Sequence, residues 1–140
     1  MRSRNLLDSQ TDKCVHVDNY GMNPLYKDGA EVYDLVHGNK DYDEEAEKLH
    51  EIIKHHKRRS GNQLLDAGCG TGTHIKYLSD WYDCTGFDIS EELIAIAENK
   101  VPKASFRQAD MKDFEFDEAF DVITCLFNSI CCATTIEELK

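Results

Sequence analysis

The stretch "LLDAGCGTGTHIKYL", Leu64 to Leu78, decides how the rest of the chain is read. It passes from an apolar run to an acid, Asp66, then to glycines at every second position, Gly68, Gly70 and Gly72, and then to helical spacing. The spacing predicts a short strand, "NQLLDA", a tight turn, and a helix, "THIKYLSDW". Glycines in such a turn let the backbone come close to another group with no Cβ in the way. A strand, a glycine turn and a helix N-terminus form the mononucleotide-binding half of a doubly wound fold, whose ligands lie at the carboxyl ends of the strands.

Working outward, the same alternation continues. "CTGFDI" reads as a strand and "SEELIAIAENK" as a helix capped by Ser90, with Leu93, Ile96 and Ala97 on one face. Pro102 stops that helix. "ASFRQAD" is a third strand, and the nearly unbroken apolar run "FDVITCLF" a fourth, of the kind covered on both faces. Strands alternating with helices through short loops predict an α/β, Rossmann-like, doubly wound parallel sheet with right-handed crossovers. Upstream, "DYDEEAEKLHEIIKHHK" places Ala46, Leu49, Ile52, Ile53 and His56 at helical spacing, with Asp43, Glu44 and Glu45 favouring its start and Ser60-Gly61 its end. Residues 1–22 mix polar types without period and read as an N-terminal arm; residues 23–60 read as a helical flap and first helix; residues 61–140 read as the ligand-binding half-domain. Near the end, Thr134 and Glu137 have capping-box spacing, yet only Leu139 and Lys140 remain beyond them. The expectation is a sheet truncated after its fourth strand.

Composition narrows the function classes. The 140 residues hold 16 Lys and Arg against 27 Asp and Glu, a formal net charge of -11, which opposes approach to a phosphate backbone. A nucleic-acid partner is disfavoured. The one basic cluster, "KHHKRR" from Lys54 to Arg59, reads as cations at the negative end of a helix dipole. No apolar run approaches the roughly 18 residues of a membrane span, and "MRSRNLLDSQTDK" lacks the apolar core of a secretory signal, so a cytoplasmic protein with no membrane partner is expected. The six cysteines (Cys14, Cys69, Cys84, Cys125, Cys131, Cys132) form no CxxC pair, and no metal site is expected.

The chemistry lies in three acids. Asp66 closes the first strand, Asp88 the second, 18 residues after Gly70, and Asp110 the third, followed by Met111. Singly, each reads as a cap or turn residue. Together they form a constellation at three successive strand ends. The glycines read G-x-G-x-G where a dinucleotide fingerprint reads G-x-G-x-x-G, and Asp66 opposes a pyrophosphate but suits a ligand with an ammonium and a sulfonium group. Asp88 can accept from both ribose hydroxyls. Asp110 can accept the exocyclic amine of adenine while Met111 packs against the ring.

"LLDAGCGTGTH", "GFDIS", "ADMKDF" and "FDVITCLFNSI" resemble the successive motifs of the class I S-adenosylmethionine-dependent methyltransferases. The resemblance runs from about Tyr26 to the last residue. It implies that the glycine loop, Ala67, Gly68, Cys69 and Gly70, passes the methionine part of S-adenosylmethionine, that Asp88 takes the ribose, and that Asp110 with Met111 takes the adenine, with Asp66, Ile89 and Leu126 as further cofactor-binding residues. The segment "LYKDGAEVYDLVHGNKDY" is similar to small-molecule N-methyltransferases that dimethylate nucleotide-linked aminosugars, and this places Tyr26 and Tyr33 as lid residues over cofactor and substrate. Where those enzymes often carry Gly and then His or Tyr after the fourth strand, this chain has Cys131 and Cys132. The family continues for roughly another hundred residues with three more strands.

The expected activity is therefore methyl transfer to a small-molecule acceptor, an amine nitrogen of aminosugar type. No catalytic residue is assigned, since no side chain in the 140 residues is a convincing general base; His74, at the start of the loop's helix, reads as a capping or surface residue. The alternative from another class is a non-catalytic S-adenosylmethionine-binding module that needs a partner chain or a homo-oligomer to cover an incomplete sheet edge. A nicotinamide-dependent oxidoreductase is opposed by the glycine spacing and by Asp66.

Overall fold

The computed structural model describes residues 40–126, so Tyr26, Tyr33, Cys14, Cys131, Cys132 and the Thr134–Glu137 pair lie outside the described residues. Within them the order is α1 (Tyr42–His56), β1 (Gln63–Ala67), α2 (Thr73–Leu78), β2 (Asp83–Asp88), α3 (Glu91–Lys100), β3 (Ser105–Gln108) and β4 (Val122–Thr124). All strand pairings are parallel, beside one isolated antiparallel bridge between Asp110 and Asp113, and the strand order is β3-β2-β1-β4. The order steps outward from β1 in both directions, so β1 lies at the point where the direction of winding reverses and ligands bind in this class of fold. The parallel α/β sheet expected from the alternating pattern is present.

The register puts Leu64, Cys84 and Val122 on one face of the sheet and Leu65, Thr85 and Ile123 on the other. The first face is the helical one. Leu64 and Cys84 share a core with Ala46 and Ile53 of α1, Ile75 and Leu78 of α2, and Val101 after α3. The opposite face carries a smaller cluster, Leu65, Ala67 and Phe87, packed by Met111, Phe116 and Phe120 from the β3–β4 connection. That asymmetry corrects one expectation. The run through β4 is not covered on both faces among the described residues: Ile123 is 67% exposed, and the strand is three residues long.

The helices show why pattern reading is right in kind and loose in detail. Asp41 caps α1 by accepting from the Glu44 amide at 3.0 Å, with three acids in the first turn and Lys54, His55 and His56 in the last, charges that oppose the helix dipole at each end. The core line of α1 is Ala46 and Ile53, both buried, with Leu49 partly buried between them. Ile52 is 57% exposed and His56 is exposed, so neither belongs to the core face. A helical step of 100° from Ile53 to Ile52 is enough to turn a neighbour to water. In α3, Leu93, Ile94 and Ala97 are buried and Ile96 is only half-buried.

Ser90 caps α3 as expected. Its Oγ, in a residue 1% exposed, accepts from the Leu93 amide at 3.3 Å and donates to Glu92 at 3.0 Å. Alanine at this position leaves buried backbone donors unmet, and Ser90→Ala is expected to cost about 1 kcal/mol. A urea midpoint lowered with an unchanged slope is the expected result; an unaltered midpoint would show that the cap contributes nothing.

Candidate functional site

The connection from β1 to α2 is built to hold its glycines in backbone conformations other residues avoid. Gly68, Gly70 and Gly72 have φ of 72°, 55° and 72°, in the left-handed region that costs an L-residue roughly 1–2 kcal/mol. The turn then closes on β2. The amides of Gly68 and Cys69 both donate to the Phe87 carbonyl at 2.9 Å, the Gly70 amide donates to Asp88 Oδ2 at 2.9 Å, and the Gly72 amide donates to the Cys69 carbonyl at 3.0 Å.

This wiring decides what the loop can hold. A phosphate-binding turn aims free N–H groups at its ligand. Here the amides of Gly68, Cys69, Gly70 and Gly72 are turned inward. What lies beside the loop is carboxylate: Asp66 beneath it and Asp88 against it. A Cβ built on Gly70 meets nothing within 4 Å, so open space adjoins the backbone there. The donor set suits a ligand that is cationic near the loop and offers hydroxyls to Asp88, and it does not suit a pyrophosphate.

Asp66 is 3% exposed, and Thr124 of β4 donates to its Oδ1 at 2.7 Å. Burial, reinforced by the negative charge of Asp88 and opposed by the Thr124 bond, pushes its carboxyl from 3.8 up to about 7. Asp88 is half-buried at the end of β2, with Oδ2 on the Gly70 amide and Oδ1 accepting from the Ser90 amide at 3.0 Å. Burial moves its pKa upward against the pull of those amides. The Ile89 amide bears on the same carboxylate, so three backbone donors share its four lone-pair sites and the remainder is open to a ligand. Beside them, burial first and then the two carboxylates push the Cys69 thiol far up, so it remains a protonated, weakly polar group and no nucleophile.

The other strand-end residues are differently engaged. Asp110 lies two residues beyond β3, exposed, its Oδ1 accepting from the Lys112 amide at 2.9 Å. Met111 packs on the Leu65–Ala67–Phe87 cluster. Ile89 is 50% exposed beside Asp88, and Leu126 is half-buried past β4. Among the described residues no cluster of three or more potential metal ligands occurs, and no helix is long and apolar enough to cross a membrane.

His74 is not a surface or capping residue. It is 9% exposed, and its Nε2 lies 3.1 Å from Glu45 Oε2 of α1, which also pairs with Lys40 at 3.1 Å. Burial lowers the His74 pKa, with Glu45 opposing. Three engaged residues were not singled out from the sequence: Thr124, which neutral pattern reading treats as one more strand position, and Thr71 and Thr73, whose hydroxyls receive the Lys100 ammonium at 2.9 and 3.0 Å. A hydroxyl inside an apolar run was the available signal for Thr124, since such a group needs a partner when buried.

Comparison with known proteins gives the family. Residues 64–140 match the model of a family described as a methyltransferase domain. The chain is 39% identical over 104 residues to a dTDP-3-amino-3,6-dideoxy-alpha-D-glucopyranose N,N-dimethyltransferase of Streptomyces fradiae, covering 72% of this chain and 40% of that protein. Among solved structures it is similar to Streptomyces venezuelae DesVI, with a TM-score of 0.72, 32% identity and coverage of 86% of this chain and 50% of the other. It is also similar to SAM-bound CalS10, an amino pentose methyltransferase from Micromonospora echinaspora, with a TM-score of 0.70 and 26% identity over 89% of this chain and 50% of the other. The chain thus spans about half the length of the relatives it matches. A family match over more than half of the chain, on a parallel α/β sheet shared with these solved structures, means that the chain belongs to the class I methyltransferase-domain family.

Proposed function

We propose that the chain is the cofactor-holding part of an S-adenosylmethionine-dependent methyltransferase that methylates an amine nitrogen of a small, aminosugar-type acceptor. The observation that carries this reading is the inward wiring of the glycine-loop amides between two buried or half-buried carboxylates. The named relatives, N,N-dimethyltransferases of amino-dideoxy sugars, supply the acceptor class.

The bound cofactor supplies an electrophilic methyl group on a sulfonium, which passes in line to a neutral nitrogen. The chain's part is to hold and orient. Gly68, Cys69 and Gly70 offer close backbone without side-chain bulk beside the methionine part, with Ala67 and Asp66 behind them. Asp88 accepts from the ribose hydroxyls through its remaining lone pairs. Asp110 accepts from the adenine amine, and Met111, Ile89 and Leu126 give apolar surface to the ring. Tyr26 and Tyr33, outside the described residues, are assigned to the lid on the family resemblance alone. Removing a nitrogen's proton falls to no described side chain, so the acceptor site needs groups beyond these. The same reading makes the protein a cytosolic one, in keeping with the reduced thiols of Cys69 and Cys84.

Calorimetric titration of the 140-residue chain with S-adenosylmethionine and S-adenosylhomocysteine tests the proposal. Saturable binding is expected for both, weakened about a hundredfold by Asp88→Ala, which removes charge-assisted hydrogen bonds to loop and ligand together. The absence of heat with a chain that circular dichroism shows to be folded would sink it.

A further inference from the structure

We propose that Lys100 is a positioning residue that fixes the glycine loop from behind, so that its backbone is already in the ligand-holding form when the cofactor arrives. This rests on the cofactor reading above. The Lys100 ammonium, at the last residue of α3, lies 2.9 Å from Thr71 Oγ1 and 3.0 Å from Thr73 Oγ1, and those hydroxyls are 3.2 Å from each other. The three groups close a triangle across Gly72, the left-handed residue at which the loop becomes α2. Thr71 is 2% exposed, so its hydroxyl requires hydrogen-bond partners, and Lys100 and Thr73 are two of them.

Ordinary helix chemistry does not account for the arrangement at the loop end. Gly72 gives α2 no side-chain cap, and a cation beside a helix N-terminus is opposed by the dipole. At the other end the charge is well placed, because Lys100 occupies the last turn of α3 where the dipole is negative. The ammonium is therefore anchored on α3 and reaches outward to the loop. The backbone there is close-packed as well: a Cβ on Gly72 would come within 3.0 Å of Ala97 Cβ and 3.1 Å of the Phe106 ring. α3 and β3 form a wall against which Lys100 holds Thr71 and Thr73, and the loop's Gly70 amide is thereby kept on Asp88.

The test separates the loop from the fold and from the cofactor. Amide hydrogen exchange of the ligand-free 140-residue chain is followed for Lys100→Met, Lys100→Arg and the wild type. Lys100→Met is expected to speed exchange of the 68–73 segment about tenfold while β1 and β2 keep their protection. Lys100→Arg, whose guanidinium can donate to both hydroxyls, should restore it. S-adenosylhomocysteine titration should then show roughly tenfold weaker binding by Lys100→Met, restored by arginine, well below its melting temperature. Unchanged loop exchange, exchange raised equally across the sheet, or a loosened loop that binds as tightly as wild type would each overturn the positioning role. A wild-type chain that binds no cofactor would instead overturn the cofactor reading, and the loop-exchange result would still decide whether Lys100 fixes the loop.

Discussion

Gly72→Ala is expected to lower the unfolding free energy by about 3 kcal/mol, while the same change two residues earlier, Gly70→Ala, costs only about 1 kcal/mol and abolishes cofactor binding. Both positions have positive φ, 72° and 55°, so both substitutions carry the left-handed penalty of roughly 1–2 kcal/mol. They differ in what the new methyl meets. At Gly72 it collides with Ala97 Cβ at 3.0 Å and the Phe106 ring at 3.1 Å, and relieving that overlap means moving α3 or β3, typically at a further 1–3 kcal/mol. At Gly70 it meets nothing within 4 Å, because it projects into the space assigned to the ligand. Chemical denaturation and S-adenosylhomocysteine titration on the two variants check this. A Gly70→Ala chain that binds like wild type would mean that the open space is not the ligand's. Equal stability losses would mean that the α3–β3 wall yields freely.

The same two glycines show what the sequence makes legible. Their spacing after an apolar run predicts a strand, a turn and a helix, and that much is local: a period of two, a break, a period of 3.6. Parallel topology follows because each strand is separated from the next by a helix-length crossover. The acids at strand ends are legible for the same reason, since a strand's end is marked by where its apolar run stops. What does not follow locally is partnership. His74 reads as a helix-start residue, and only the packing of α1 onto α2 buries it against Glu45. Lys100 and Thr71 are 29 residues apart, and no periodicity connects them. Ile52 and Ile53 are equivalent in an apolar count, yet one is 57% and the other 7% exposed. The direction of the partner sheet chooses between them, and that is a tertiary fact. The run through Ile123 reads as doubly covered because the pattern registers hydrophobicity and not what lies on the second face.

Asp66 links stability to pH in a direction opposite to most surface acids. Its carboxyl is 3% exposed and displaced from 3.8 to about 7 by burial first and the charge of Asp88 second, with the Thr124 hydroxyl bond working the other way. The groups acting on it are Thr124 and Asp88, and Asp88 supplies the added charge; the neighbouring thiols of Cys69 and Cys84, whose pKa values Asp66 helps to raise, stay neutral. In the folded chain Asp66 keeps its proton over a range where the unfolded chain has lost it. The unfolded state therefore binds fewer protons there, and stability falls as pH rises from about 4 to about 7. Each pKa unit is about 1.4 kcal/mol, so the displacement amounts to roughly 4 kcal/mol lost by the time the group is fully ionised. Asp66→Asn removes that dependence. Its amide oxygen can still accept from Thr124, while its NH₂ group introduces buried donors that cost roughly 1–3 kcal/mol if unmet. The variant is expected to be about 1 kcal/mol less stable than wild type at pH 4.5 and about 2 kcal/mol more stable at pH 8.5. Urea denaturation of both chains at those two pH values reads the difference, from which the titrating groups that do not interact with Asp66 cancel. Parallel pH curves would show that Asp66 is ionised throughout in the fold. A crossing would show a carboxyl whose charge the isolated chain resists, and a cationic ligand at the loop would then bind with release of a proton and more tightly as pH rises toward 8.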